Sequence, residues 1–546
     1  MKRKAVAAVL TAVMVASMFT GCGSDNGSSS AKSASAASAA SAANDTVDED
    51  GKVNGIMYQE GLPLVDEGDY TFSIFCDDSS ESGEFIMLDE FKKQTNVDVD
   101  LKIYPYETAT ERLNLDLNSG DYADVIGGWT LSDNAILTYG VNQGVFIPLE
   151  DYFEKYCPNI SAILDLPGVR EKMTAPDGHI YTIPYVCADT TVGYSPYINT
   201  KWLENVGMSM PTTTDEFEAV LKAFKEQDAN GNGDASDEIP FSTDPNNKHI
   251  EAMAGYFGLP MNKLGIAIQN EKVVYGGVSD TYREFLSWFH KLYAEGLVDV
   301  ELYTQDSSTW EGKGNQDLYG VSIAYGSNEF TGIPAAEERG DFDSMPVLNT
   351  DKDGIWLRDT EGFSVYRTQA VITNKAEHPE IICRWFDNAF ALENGIGCNR
   401  GPVGVIVNKE DDGYHAIDTT TLSEEDQEKY SWGNLWPQSL PKYLPVDFEF
   451  VEEHPMYDDK KATEEAYEAN LTKEIIPSYW IDLDKIDTFS DTNTAIKDFF
   501  EQQQAQFVCG ELDIDNDADW QAYVDGMYSL GLEDWVATQG IEEIAK

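Results

Sequence analysis

The chemistry most legible in this chain is a ring of oxygen ligands that could wrap a hard cation. Asp228, Asn230, Asn232 and Gly233 take positions 1, 3, 5 and 6 of a calcium-loop pattern. Ca²⁺ takes about 6–8 oxygen ligands, and side chains at alternate positions can reach one sphere. The glycine permits the sharp turn between them. The carbonyl of Asp234 and the carboxylates of Asp237 and Glu238 complete the candidate set. Position 12 is Ile239 instead of Glu, and Pro240 forbids an ordinary exit helix. The expectation is a calcium loop leaving one helix, not a helix–loop–helix sensor. The competing reading is a solvated turn of Asx and Gly residues.

A helix must position that loop. Thr213 and Glu216, just after Pro211, have capping-box spacing. Phe217, Val220, Leu221 and Phe224 then fall on one apolar face, and the helix should run out near Gln227. A second set, Asn349, Asp351, Asp353 and Gly354, spaces like a metal loop but lacks a late Glu. Asp-Gly between apolar runs reads better as a hairpin turn. Asp513, Asp515 and Asp517 have no following Gly and read as a solvated run or a helix entry.

The amino terminus carries a basic stretch, Lys2 to Lys4, an apolar run from Ala5 to Phe19, and then Thr20-Gly21-Cys22. This is the order of a secretory signal over residues 1–21. The run is short for a transmembrane helix. Cysteine after Phe-Thr-Gly resembles a bacterial lipobox, although Leu is usual where Phe19 stands. Cys22 is therefore the expected lipidation site, the alternative being ordinary signal cleavage. Residues 22–65 read as a flexible Ser/Ala-rich tether holding the protein on the outer face of the cell membrane.

The chain has 97 acidic and 37 basic residues, a formal charge of −60. That opposes nucleic acid and anionic lipid as partners and mildly disfavours polyanionic sugars. The six cysteines after Cys22 are widely spaced, with no C-x-x-C, and read mostly as buried small hydrophobes.

From Tyr70 the pattern becomes strand, helix, strand, helix, strand, ending at Asp124 to Gly127. This βαβαβ order predicts an α/β fold with a parallel sheet. Ligands of such sheets sit beyond the carboxyl ends of the strands. Those ends are Cys76-Asp77-Asp78-Ser79 and Gly127-Gly128-Trp129-Thr130, which makes Asp77 and Trp129 candidates. Core packing is the competing reading for Trp129.

Several motifs, in order, resemble the extracellular solute-binding lipoproteins of bacterial ABC transporters, in particular the oligosaccharide- and alginate-binding branch. They are Lys201-Trp202-Leu203, Val206-Gly207, Pro211, Asp215-Glu216-Phe217, Leu221 to Phe224 and Asp237-Glu238-Ile239-Pro240. Lys291 to Asp299, His378-Pro379-Glu380 with Arg384 to Asp387, and Asp519-Trp520 through Gly531-Leu532 continue the series. Pro379 also opens a predicted helix whose apolar face is Ile382, Trp385, Phe386 and Ala389 and which ends at Gly395. The loop is one residue longer than usual between Gly233 and Asp237, which leaves Ser236 and Asp237 as alternatives for a late ligand.

The resemblance implies two α/β lobes round a cleft, three crossings between them, hinge closure, and a structural Ca²⁺ away from the ligand. It places lobe 1 at 66–188 and 366–430, and lobe 2 at 189–365 and 431–546 with the C-terminal helices. It implies an oligosaccharide ligand, permease partners in the membrane and a monomer. Tyr185 falls at the first crossing, and Trp310 and Asn328 fall in loops that could line the cleft. Arg400 could bind a polar group, with solvent exposure as the alternative. Trp432 and Trp436, with Asn434 between them, suit a sugar's apolar ring face and hydroxyls, with hinge packing as the alternative. The competing classes are a secreted glycoside hydrolase, which needs two carboxylates across a sugar, and a peptide- or nutrient-binding protein on the same fold. No G-x-S-x-G, H-E-x-x-H or Walker loop is present.

Overall fold

The computed structural model describes residues 45–78, 84–244, 249–332, 341–451 and 455–545. Cys22, the expected signal of residues 1–21 and Ser79 lie outside them. The principal strands are β1 (Tyr70–Asp77), β2 (Val97–Tyr104), β3 (Val125–Gly127), β4 (Tyr185–Ala188) and β5 (Ser195–Asn199). They continue with β6 (Ile239–Thr243), β7 (Tyr319–Ala324), β8 (Phe342–Ser344), β9 (Phe363–Tyr366) and β10 (Ala370–Ile372).

Lobe 1 is built on the sheet β10-β3-β1-β2. β1 runs parallel to both β2 and β3, as the βαβαβ order requires. β10 returns antiparallel against β3. Between the strands lie helices Ile86–Thr95 and Tyr106–Ser119. Asn96 and Gly120 end them in the left-handed conformation. Phe72, Ile74, Phe91, Val125, Trp385 and Phe386 share one core.

Lobe 2 is built on β8-β5-β7-β6, with β7 parallel to β6 and antiparallel to β5. Phe217, Leu221, Phe224, Phe241, Phe289 and Trp356 share its core with the C-terminal residues Phe507, Trp520 and Trp535. The two cores are joined by a short antiparallel ladder in which β4 pairs with β9, from Tyr185 opposite Tyr366 to Ala188 opposite Phe363.

Three boundaries differ from the sequence reading. The expected tether ends earlier. Lys52–Val53 and Met57–Tyr58 pair as a hairpin, and Val53, Met57, Leu64 and Val65 are buried in the lobe 1 core. The segment after 430 belongs first to lobe 1, because Trp436 and Leu440 pack into that core. The helix expected from Pro379 to Gly395 stops at Ala389, and a second helix runs from Leu392 to Arg400. There Gly395 packs so tightly that a Cβ would sit 1.9 Å from the Tyr443 carbonyl oxygen. The apolar face Ile382, Trp385, Phe386 and Ala389 is buried as the spacing predicts.

Candidate functional site

Asp77 ends β1 fully buried, and its carboxylate accepts from the Trp129 N–H at 3.0 Å and the Thr130 N–H at 2.6 Å. Gly128 has φ +134°, and a Cβ there would lie 2.4 Å from Asp77 Oδ1. Only glycine lets the loop come this close. Asp77 is thus a buried clamp on the loop that carries Trp129. Next to it, Asp78 Oδ2 accepts from the Gln438 N–H at 2.6 Å.

The clamp leaves the Trp129 ring 47% exposed. It stands edge-on to Tyr366, 5.4 Å between centroids, and tilted to Tyr185 at 6.5 Å. Tyr185 and Tyr366 stack at 5.3 Å across the β4–β9 ladder. An aromatic platform therefore sits where lobe 1 meets the crossings. From the lobe 2 side, Tyr325 follows the carboxyl end of β7 and donates to Asp189 at 3.2 Å. Asp189 also accepts from the Ser364 hydroxyl. The Lys460 ammonium lies 3.8 Å above the Tyr325 ring and donates to the Gly193 carbonyl at 2.8 Å. Burial pushes Lys460 down to about 8, against the opposing pull of Glu329, Asp189, Asp359 and Glu464. Burial raises the Glu329 carboxyl, with Asp244 and Glu311 adding to that shift.

A second buried amine, Lys442, lies close to Cys187 of β4, the strand that carries Tyr185. Lys442 donates to Gln438 at 2.9 Å and sits 5.1 Å over the Trp432 ring. Burial lowers it to about 8. Trp432 is 56% exposed.

The other expected ligand residues fall elsewhere. Trp436 is fully buried, stacked on Trp385 at 5.7 Å, with its indole N–H on the Leu440 carbonyl. It is a core residue of lobe 1 and offers no face to a ligand. Trp310 is likewise buried beside Phe330, its indole N–H donating to Ser322 at 3.2 Å. Asn328 opens the turn Asn328–Thr331, half-buried. Arg400 ends its helix half-buried, donates to Asn399 O at 3.2 Å and lies 5.8 Å from the Phe450 ring. Burial lowers it to about 10. Of the eight candidates, Trp129 and Tyr185 come together, Asp77 holds one of them in place, and Trp432 stands nearby beside Lys442. Tyr325 lies in the same cleft-loop segment as Asn328, whereas Tyr366, Asp189, Lys442 and Lys460 carry no signal in the sequence that points to a site. Lys460 sits in the run Asp458-Asp459-Lys460-Lys461, whose charge reads as a solvated face.

The loop after helix Thr214–Glu226 closes on itself through its own acids and amides. Gly233 N–H donates to Asp228 Oδ2 at 3.0 Å, and Ala229 N–H to Glu238 Oε1 at 2.9 Å. The Asn230 and Asn232 amides both reach Asp237, at 3.3 and 2.7 Å. Ser236 instead donates to Asp234, so Asp237 is the late side chain that converges. Asp228 Oδ1 and Glu238 Oε2 are buried and have no hydrogen-bond donor. Buried acceptors without donors are costly, and these two fit a cation's oxygen shell. Asp228, Asn230, Asn232, Asp237 and Glu238, with the Asp234 carbonyl, are the residues that would hold it.

The profile of the bacterial extracellular solute-binding proteins matches residues 78–395. The fructooligosaccharide ABC transporter substrate-binding protein FusA of Streptococcus pneumoniae is 31% identical over 411 residues, covering 73% of this chain and 70% of FusA. Lipoprotein LipO of Bacillus subtilis is 28% identical over 280 residues, covering 50% of this chain and 52% of LipO. The structure of FusA in complex with kestose superposes with TM-score 0.75 and 26% identity over 86% of this chain and 98% of that one. An EF-hand mutant of FusA in complex with fructo-nystose gives TM-score 0.74 and 27% identity over 86% of this chain and 98% of that one.

Proposed function

The chain belongs to the bacterial extracellular solute-binding protein family, and from that premise we propose that it captures a neutral oligosaccharide for an ABC importer. The carrying observation is the exposed Trp129 ring set against Tyr185 and Tyr366 at the interlobe ladder. Aromatic faces of this kind suit the C–H face of a sugar ring, and hydrogen-bonding groups beside them suit its hydroxyls. Similarity to FusA supports a carbohydrate ligand of the fructooligosaccharide kind. The protein acts by binding and delivery, without turnover. It works as a monomer that closes on its ligand and docks on permease subunits. Cys22 carries the lipid that holds it on the outer face of the membrane, a reading favoured by similarity to LipO. A structural Ca²⁺ at Asp228 to Glu238 would tie the end of one helix to the start of β6. The existence of an EF-hand mutant of FusA makes such a site reasonable here.

The test is tryptophan fluorescence of a chain beginning after Cys22, titrated with kestose, a uronic trisaccharide and short peptides. A saturable shift with kestose, and kestose recovered intact, supports the reading. Saturation by peptides alone would discard the carbohydrate ligand, and breakdown of kestose would move the protein to the glycoside-active class. Trp129→Ala should weaken kestose by at least about tenfold, since losing one aromatic contact costs on the order of 1.5–3 kcal/mol.

A further inference from the structure

Among the described residues, the buried Lys460 ammonium finds fewer acceptors than it has donors. It lies on helix Pro455–Tyr467 and is only 5% exposed. An ammonium has three donors. One goes to the Gly193 carbonyl at 2.8 Å, and the Tyr325 ring lies 3.8 Å below. No carboxylate among the described residues forms an ion pair with it. The acids that act on it are already engaged by other donors. Glu329 accepts from the Tyr325 N–H at 2.9 Å. Asp359 accepts from the Gly193 N–H at 2.7 Å. Glu464 accepts from the Thr191 N–H at 2.6 Å and its hydroxyl at 3.1 Å. Asp189 accepts from the Thr190 N–H at 2.8 Å, from Tyr325 and from Ser364. Withdrawing an ammonium from water while its donors lack acceptors is costly, and a ligand that brings oxygen atoms repays that cost.

The place fits a ligand. Tyr325 stands beyond the carboxyl end of a parallel strand, where α/β sheets bind their ligands. An unbroken series of neighbours runs from there to the aromatic platform: Tyr325 donates to Asp189, Asp189 accepts from Ser364 on β9, and Tyr366 on the same strand meets Trp129. The charge around the seat also limits what enters. One ammonium faces Glu329, Asp189, Asp359 and Glu464, with Asp244 and Glu311 close behind Glu329. Another carboxylate would be repelled, whereas hydroxyls can accept from Lys460 and donate to the acids.

Resting on the reading above, we propose that Lys460 is a specificity-determining ligand contact, donating to hydroxyl oxygens of a neutral sugar seated over Tyr325 and disfavouring uronates. The test is titration with kestose between pH 6.5 and pH 9.5 of the wild type, Lys460→Met and Lys460→Gln, each checked for folding by circular dichroism. Losing a charge-assisted contact should weaken Lys460→Met by roughly ten- to hundredfold at the lower pH. Gln, which keeps two N–H donors without the charge, should recover part of that loss. Wild-type affinity should fall as pH rises through about 8, where Lys460 releases its proton, and both variants should lose that step when compared in a Lys442→Met background, which removes the other amine that titrates there. A folded Lys460→Met that binds kestose as the wild type does, or that keeps the pH step, overturns the proposal. So does a uronic trisaccharide that binds the wild type as tightly as kestose. If Lys460→Met does not fold, Lys460→Gln with wild-type affinity and an intact step overturns it equally. Failure of the wild type to bind kestose or any neutral sugar would instead remove the carbohydrate reading itself.

Discussion

Trp129 and Trp432 are about half exposed, whereas Trp436 is sealed in a core with Trp385 and Phe91. Glycine was the better guide: Gly127-Gly128 marks where a backbone must run close to Asp77, and the exposed ring follows directly. Lys442 could not be read at all, because a lone lysine between Pro441 and Tyr443 gives no hint of 3% exposure. Its burial carries a stability consequence. Unfolded, the amine holds its proton up to about 10.5; folded, it loses it near 8. Between those values the unfolded chain binds more protons, so stability rises with pH across that window. The limiting size is about 3 kcal/mol at roughly 1.4 kcal/mol per pH unit. Lys442→Met should remove this share of the rise in melting temperature between pH 8 and 10.5, leaving that of Lys460. An unchanged slope would show that Lys442 is solvated.

At the scale of elements, regular spacing was read correctly and local competition was not. Helix Thr214–Glu226 buries Phe217, Val220, Leu221 and Phe224, the face its periodicity predicts. Its cap is half of the expected box. Thr213 accepts from the Glu216 N–H at 3.2 Å, but the Glu216 carboxylate turns to the Thr212 N–H at 2.8 Å. The helix around Trp310 is capped by Asp306 and buries its tryptophan, where the sequence suggested an open loop. Asp513 to Asp517 proved a helix entry, with Asn516 accepting from the Ala518 N–H. For the loop after Gln227, calcium would stabilise the native fold by mass action, about 2.7 kcal/mol at a hundredfold excess over its dissociation constant. A chelator should therefore lower the wild-type melting temperature. Asp228→Asn should start near the chelated value and show no further loss, while kestose affinity stays within about twofold. A melting curve indifferent to both chelator and calcium would leave the loop a plain Asx turn.

At the scale of the whole molecule, the order of strands disclosed the α/β architecture, since alternating strands and helices leave few alternatives. The lobe assignments were less legible because they depend on contacts distant in sequence. Trp480, Ile481 and Ile486, far along the chain, come back to lobe 1 beside Leu137. Arg367 ties this return to Asp133 and to the Tyr479 carbonyl. The crossings are fastened to one another as well, with Thr191 on Glu464, Gly193 on Asp359 and Thr360 on the Thr190 carbonyl. Closure about the short β4–β9 ladder is the motion this arrangement allows. Small-angle X-ray scattering should show the radius of gyration fall as kestose saturates. Saturable binding with an unchanged radius would mean that the cleft is already closed.

The early hairpin bears on where a shortened gene can begin. A chain trimmed to start at Tyr70, where the strand pattern begins, would lack Val53, Met57, Leu64 and Val65, all buried. Deleting them would uncover the apolar side chains of the lobe 1 core against which they pack, at about 25 cal/mol for each Å² of apolar surface returned to water. A recombinant version that starts before Asp45 keeps this lining, and one that starts at Tyr70 should leave apolar core surface open to water and to self-association.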